Sequence, residues 1–129
     1  MSQTKREASR EDRVEIQFLE GVLRRAPENI SVLEALGNLC TKAGRIEDGL
    51  AVDLKLTALQ PDNPHVWYNR ACSESLSEKF DDALASLRRA FSLGYNDIPW
   101  LLRDDDLEPL RDDPRLQKIL AEITAAPSS

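Results

Sequence analysis

The stretch from Pro64 to Leu93, PHVWYNRACSESLSEKFDDALASLRRAFSL, decides the fold that the sequence predicts. Asn63 stands just before it and is a good N-cap, because its side-chain oxygen can accept amide protons of the first helical turn. Pro64 follows at the first helical position, where a missing amide proton costs nothing. Caps of this kind are spaced 34 residues apart, at Asn29, Asn63 and Asp97. The stretch is therefore one copy of a repeating helical unit.

Large and small apolar residues return in the same register, which is strong evidence for a repeat. The small residues fall where the two helices of one unit must cross closely, and the large ones where the gap between units must be filled. The matched pairs are Leu33 and Trp67, Gly37 and Ala71, Ile46 and Phe80, Gly49 and Ala83, and Leu50 and Leu84. We expect two full copies, each a first helix, a turn and a second helix, with Gly44 placed to end the first helix of the earlier copy.

The stretch from Pro64 to Leu93 resembles one tetratricopeptide repeat, a helix, short turn and second helix of 34 residues. The residues that carry the resemblance are Trp67, Tyr68, Asn69, Ala71, Ala83, Leu87 and Ala90. The resemblance is specific over about 30–95 and looser at both ends. It implies an all-α, right-handed α-α superhelix of six or seven helices, because a helix pair cannot bury both of its faces alone and neighbouring pairs stack.

The resemblance also predicts one domain over 9–125, behind a disordered polar tail at 1–8. Its parts are an N-terminal half-repeat at 9–26, repeat 1 at 29–61, repeat 2 at 63–95, and a truncated repeat with a cap at 97–125. In 97–125 we expect a helix after Asp97, a short turn, and a last helix capped by Asp113. This tail resembles the terminal segment of a group of small bacterial tetratricopeptide proteins, in which it covers the exposed face of the last repeat. The final residues, TAAPSS, are expected to fray.

The half-repeat begins with Ser9 and Asp12, which are spaced as a capping box. Behind this box, apolar residues recur at helical spacing and predict one helix that ends at Pro27. These apolar residues are Val14, Phe18, Leu19, Val22, Leu23 and Ala26. Ile16 shares the register of Leu50 and Leu84, so this helix corresponds to the second helix of a repeat.

Composition and charge limit the classes of partner. The formal net charge of −6 over 129 residues argues against nucleic acid, whose phosphates need Lys and Arg. No apolar run approaches the length of a membrane span, and the N-terminal residues have no apolar core of a signal peptide. Cys40 and Cys72 both fall inside predicted helices, where a free Cys usually behaves as a small buried hydrophobe. We therefore expect a cytoplasmic protein with no membrane partner.

No set of residues predicts an enzyme or a cofactor. His65 is the only histidine and lies in the first turn of a helix, so a surface position is expected. The two cysteines and one histidine cannot make a four-ligand zinc site without carboxylates. The acidic runs at 104–106 and 112–113 could attract calcium, but they lack the loop pattern of a calcium site. Helix caps and a solvated surface explain them better.

The resemblance places a binding surface on the first helices of the repeats, which line a concave groove in this family. The residues that would face it are Ser31, Glu34, Asn38, Thr41, His65, Tyr68, Asn69, Cys72 and Ser75. Small polar side chains suit an extended peptide or a partner helix held by hydrogen bonds to the amides. One family version binds a C-terminal carboxylate. Asn38, Asn69 and Arg103 match that version, whereas Glu34 and Pro99 stand where it has lysines.

Two residues depart from the core pattern. Arg70 stands where a repeat normally has a buried Leu, and Asp53 where it has a large apolar residue. We predict an ion pair between them, with Glu74 as a second partner of Arg70; the alternative is that both side chains reach out to water.

The function that the sequence favours is an adaptor or scaffold that binds a protein or peptide in the groove. The alternative is a structural subunit or homo-oligomer that assembles through its end helices or convex face. An enzyme has the least support. The state of Trp100 and its neighbours separates the first two, since they either cover the last repeat or form an exposed patch. A monomer or a weak homo-oligomer is compatible with the sequence.

Overall fold

The structure, a computed structural model, describes residues 9–125. All of the regular elements in that part of the chain are helices and none is a strand, which confirms the all-α class. The helices are α1 Arg10–Arg25, α2 Ile30–Lys42, α3 Ile46–Leu59, α4 Pro64–Leu76, α5 Phe80–Ser92, α6 Ile98–Leu101 and α7 Pro114–Ala125, with a 3-10 helix at Asp105–Leu110 between α6 and α7. The sequence predicted six or seven helices and interpreted the 3-10 segment as a short turn. The predicted tail at 1–8 and residues 126–129 lie outside the described part.

Five of the described helix starts, those of α1, α2, α4, α6 and α7, follow the predicted caps, whereas α3 and α5 begin without a side-chain cap. The amide of Asp12 donates to Ser9 Oγ at 3.0 Å and the amide of Ser9 donates back to Asp12 Oδ2 at 3.4 Å, which completes the capping box. The side chains of Asn29, Asn63, Asp97 and Asp113 accept amide protons of α2, α4, α6 and α7 in the same manner. These caps are local, so the sequence places the helix starts correctly.

Two residues in the same register end the first helix of each pair with a left-handed backbone. Gly44 has φ 84°, and Glu78 has φ 62°. The sequence predicted the stop at Gly44. The equivalent position, 34 residues on, carries a side chain that is strained in this conformation.

The chain divides between Pro61 and Asp62 into two compact units, described over 9–61 and 62–125. We call them the N-terminal unit and the C-terminal unit. The division coincides with the predicted boundary between repeat 1 and repeat 2. The superhelical arrangement and the single domain over 9–125 stay predictions.

In the N-terminal unit, α2 packs against both α1 and α3. Its core is built from Ile16, Leu36, Cys40 and Ala43, with Leu19, Leu23, Leu39 and Val52 beside them. The predicted close crossing of α2 and α3 is confirmed, because a Cβ on Gly49 would meet Thr41 Oγ1 at 2.6 Å. Only some of the apolar residues that recur along α1 belong to this core. Val14 and Phe18 have the same helical spacing but are exposed.

In the C-terminal unit, α4 packs against α5, the 3-10 helix packs against α4, and α7 packs against α5. One buried core joins all of them. Its members are Tyr68, Ala71, Cys72, Ala83, Leu84, Leu87, Ala90, Tyr95, Leu101, Leu107, Leu110, Leu116 and Ile119. The segment after α5 therefore completes this unit's core with its leucines, and the 3-10 helix covers one face of α4.

Candidate functional site

The residues predicted to bind a partner separate into exposed and buried groups. On α2, Glu34 and Asn38 are exposed, as is Ser31. In the C-terminal unit His65, Asn69 and Arg103 are exposed. Thr41 is partly buried, and its hydroxyl donates to the Gly37 carbonyl at 3.1 Å. Tyr68, Cys72 and Ser75 are buried, so their side chains do not offer a surface to a partner in this conformation.

The burial of Tyr68 and Cys72 has a specific cause, which is the start of the 3-10 helix. The Tyr68 hydroxyl donates to Asp104 Oδ2 at 2.7 Å, and the Cys72 thiol lies 3.6 Å from the same oxygen. The Tyr68 ring stacks on Tyr95, with centroids 4.3 Å apart and an interplanar angle of 7°. His65 meets the edge of that pair, with its ring centroid 5.8 Å from Tyr95. Other residues of the same chain therefore cover this face of α4.

The same cluster shifts several pKa values. Burial, with the negative charge of Asp104 nearby, raises the pKa of the Cys72 thiol well above its ordinary value. Burial is also the main cause of the raised pKa of Tyr68. Burial, followed by repulsion from Asp104 and Asp105, raises the pKa of Asp106 to about 6. A thiol held neutral in this way is a poor nucleophile, because the thiolate is the reactive form.

One group of residues has the chemistry to hold a metal ion. Ligand atoms of Cys72, Asp104 and Asp106 lie within 4.8 Å of one another. Their hydrogen bonds give them a structural role, however. The amide of Asp106 donates to Asp104 Oδ1 at 3.0 Å, and the Arg111 guanidinium donates to the Asp104 carbonyl at 2.9 Å. Asp104 therefore caps the 3-10 helix, as the sequence predicted for this acidic run, but it is buried rather than solvated.

A buried carboxylate on α4 forms a second polar cluster. Glu74 is only 2 % exposed and is held from two sides. Arg70 Nε donates to Glu74 Oε2 at 3.0 Å, and the Ser86 hydroxyl of α5 donates to Glu74 Oε1 at 2.6 Å. The predicted contact of Arg70 with Glu74 is confirmed, whereas its pairing with Asp53 stays a prediction. The role of Ser86 was missed, because nothing local to that residue indicates its partner.

The Arg70 side chain also covers an aromatic ring. Its guanidinium carbon lies 5.0 Å from the ring centroid of Trp67, and that of Arg89 lies 6.0 Å from the same ring. Both distances are within the range of cation–π attraction. Trp67 is therefore partly covered by charged side chains rather than by apolar ones alone.

Large apolar side chains are exposed at three places in the described chain, one of which is Leu54 on α3. Val14 and Phe18 are exposed on α1, where Phe18 keeps 67 % of its surface in contact with solvent. Trp100 and Leu102 follow α5 in the chain, and both are exposed. Trp100 keeps 47 % of its surface exposed, so its side chain is not fully buried as a cover of the last helix pair. None of the helices between residues 9 and 125 is both long enough and apolar enough to cross a membrane.

The residues that resemble a carboxylate-binding set are not all in one unit. Asn38 lies in the N-terminal unit, and Asn69 and Arg103 lie in the C-terminal unit. Each is exposed, and so is Glu34, whose negative charge would oppose a carboxylate. Comparison of the chain with family models, with curated proteins and with solved structures finds no match.

Proposed function

We propose that this chain is a non-enzymatic protein-interaction module, an adaptor or scaffold built from tetratricopeptide-like helix pairs. Its ligand is a peptide or protein segment in extended or helical form. Each helix pair has a binding surface of its own, made of exposed polar side chains on its first helix. These side chains are Ser31, Glu34 and Asn38 on α2, and His65 and Asn69 on α4.

The main support for this proposal is a row of three exposed polar side chains on α2. Ser31, Glu34 and Asn38 are spaced three and four residues apart, which places them on one face of the helix. All three are exposed, while Leu33, Leu36 and Cys40 on the other side are buried. An amide such as Asn38 both donates and accepts, which suits the backbone of a bound peptide.

The buried residues of the predicted groove take a different role in this proposal. Tyr68, Cys72 and Ser75 are buried in the C-terminal unit and do not touch the partner. The binding residues of α4 are then His65 and Asn69, which are four residues apart on an exposed face. An enzymatic role has less support, since burial raises the pKa of both Cys40 and Cys72. Two buried free cysteines also suit a reducing cytoplasm.

The proposal is tested by capturing partners from source-cell lysate on the immobilised full chain. The test variant is Asn38→Ala/Asn69→Ala, which removes one exposed amide from the proposed surface of each unit. The matched control is Asn96→Ala/Gln117→Ala, which removes two exposed amides elsewhere in the C-terminal unit. Circular dichroism establishes that each variant keeps its helix content.

We expect a partner that the wild type and the control retain and that the test variant loses at least tenfold. The same partner held equally by all three proteins would contradict the proposed surface. A peptide array of the captured partner then defines the bound segment, and titration of that peptide against the three proteins repeats the comparison with purified components.

A further inference from the structure

Helix α1 carries an apolar stripe that faces away from its own core. The helix buries Ile16 and packs against α2 through the side that also carries Leu19 and Leu23. Residues Val14, Phe18 and Val22 follow one another at spacings of four residues, so they share a face. With a rotation of about 100° per residue, that face lies opposite Ile16. Val14 is 58 % and Phe18 67 % exposed, and Val22 is partly buried.

Charges of opposite sign stand at the two ends of this stripe. Glu11 lies on the same face one turn before the first valine, and Arg25 lies on it near the C-terminal end. The first turn of α1 carries Glu11 and Asp12 after Arg10, and its last turn carries Arg24 and Arg25. Glu11 stands seven residues before Phe18 and Arg25 seven residues after it, and the valines stand four before and four after. The residues of the stripe are therefore placed symmetrically about Phe18, and its two ends carry opposite charges.

A surface of this kind is complementary to itself. When two copies of α1 lie antiparallel with a two-fold axis at Phe18, each Glu11 faces the partner copy's Arg25. Each Val14 then faces a Val22, and the two Phe18 rings meet at the axis. A two-fold interface requires such a self-complementary patch. An apolar centre with a charged rim is also the usual anatomy of a protein–protein interface.

We propose that a second copy of this chain docks on the α1 stripe, helix against helix in antiparallel orientation. This contact uses α1 and not the polar row of α2, so it goes beyond the proposed partner-binding function and does not depend on it. A 16-residue helix is about 24 Å long. One such pair buries less surface than a standard interface, as weak and transient complexes do, and we expect a dissociation constant on the order of 10 μM.

Sedimentation velocity of the full chain over a concentration series measures this equilibrium. We expect the wild type to shift from monomer to dimer as its concentration rises through the micromolar range. Phe18→Glu places two carboxylates at the two-fold axis and keeps the protein monomeric throughout the series. The matched control is Gln17→Glu, which adds the same charge at an exposed neighbouring position off the stripe. It retains the dimer.

A charge exchange tests the antiparallel orientation. Glu11→Arg alone weakens the dimer at least tenfold, because it sets two cations opposite each other at both ends. Combining it with Arg25→Glu restores attraction and brings the dissociation constant back to within about threefold of the wild-type value. Failure of the combined variant to recover would exclude the antiparallel pairing. Circular dichroism confirms that each variant remains helical.

Three results would overturn the proposal. The first is a wild type that remains monomeric at all concentrations. The second is a dimer that Phe18→Glu leaves unchanged, which places the interface elsewhere. The third is a foreign partner that the wild type captures and Phe18→Glu loses, which assigns the stripe to that partner. The first two results do not bear on Asn38 and Asn69, so the two proposals fail or stand separately.

Discussion

The Tyr68 hydroxyl donates a 2.7 Å hydrogen bond to Asp104 Oδ2. The two residues are 36 positions apart, and their contact fastens α4 to the start of the 3-10 helix. Both side chains are buried, so water does not compete for the bond. A tyrosine that the sequence assigned to a partner is thus used to close the C-terminal unit on itself.

Tyr68→Phe is expected to destabilise the protein by about 1–2 kcal/mol. The substitution keeps the ring that stacks on Tyr95 but removes a donor from the buried Asp104 carboxylate. Urea unfolding at neutral pH measures the change. A double-mutant cycle with Asp104→Ala separates this bond from the capping role of Asp104. The prediction requires a coupling free energy of about 1 kcal/mol, and a coupling near zero would contradict it.

Asp106 should make stability depend on pH. Its pKa is raised to about 6 in the folded chain, against an ordinary value of 3.8. Between these values the folded state binds more protons than the unfolded state, so the contribution of Asp106 to stability falls as pH rises from about 4 to about 6. Asp106→Asn removes that loss. It should be more stable than the wild type above pH 6, with the gain fading as pH is lowered to 4.

Urea unfolding at pH 4, 5, 6 and 7 checks the Asp106 prediction. Asp112→Asn is the control, because it removes an exposed carboxylate outside the cluster. An Asp106→Asn advantage that is the same at every pH would mean that the substitution acts through something other than the titration.

Arg70→Leu is expected to lower the free energy of unfolding by about 1–3 kcal/mol. It leaves the buried Glu74 carboxylate with the Ser86 hydroxyl but without its cation. Adding Glu74→Gln should recover much of the loss, because the amide is neutral and its oxygen can still accept from Ser86. Thermal unfolding of the two variants tests this pair of expectations. A higher melting temperature for Arg70→Leu alone would show that the ion pair does not stabilise the fold.

Glu78→Gly is expected to stabilise the protein by about 0.5–1 kcal/mol. The residue is exposed and has φ 62°, a conformation that costs a side chain energy and a glycine almost none. The greater freedom of glycine in the unfolded chain offsets part of the gain. Gly44→Ala, at the equivalent position of the other pair, should instead destabilise by a similar amount. Equal signs for the two substitutions in urea unfolding would be incompatible with this account.

Much of the fold follows from local sequence. Caps act on amides two or three residues away, so Ser9, Asn29, Asn63, Asp97 and Asp113 could be identified without tertiary information. The close crossing at Gly49 followed from the repeat register, since a small residue in both copies indicates a tight contact. The exposed state of Asn38 and Asn69 also followed from helical spacing, once the buried side of each helix was known.

The candidate site was predicted less well, because its state depends on distant contacts. The helical period places Tyr68, Cys72 and Ser75 on one face of α4, but it does not say what covers that face. On α1, Val14 and Phe18 have the spacing of core residues and yet remain exposed. Spacing alone defines a helix face, and only the packing of other elements decides whether that face is buried.

The sequence by itself therefore determined the helices, their caps, the 34-residue register and the tight crossing of α2 and α3, because each depends on neighbours along the chain or on a repeated pattern. The tertiary structure alone decided that the 3-10 helix covers α4, that Glu74 is buried against Ser86, and that Phe18 points to solvent. The physical reason is that burial is a property of which surfaces meet. Those surfaces belong to residues far apart in the chain, and no local preference encodes their meeting.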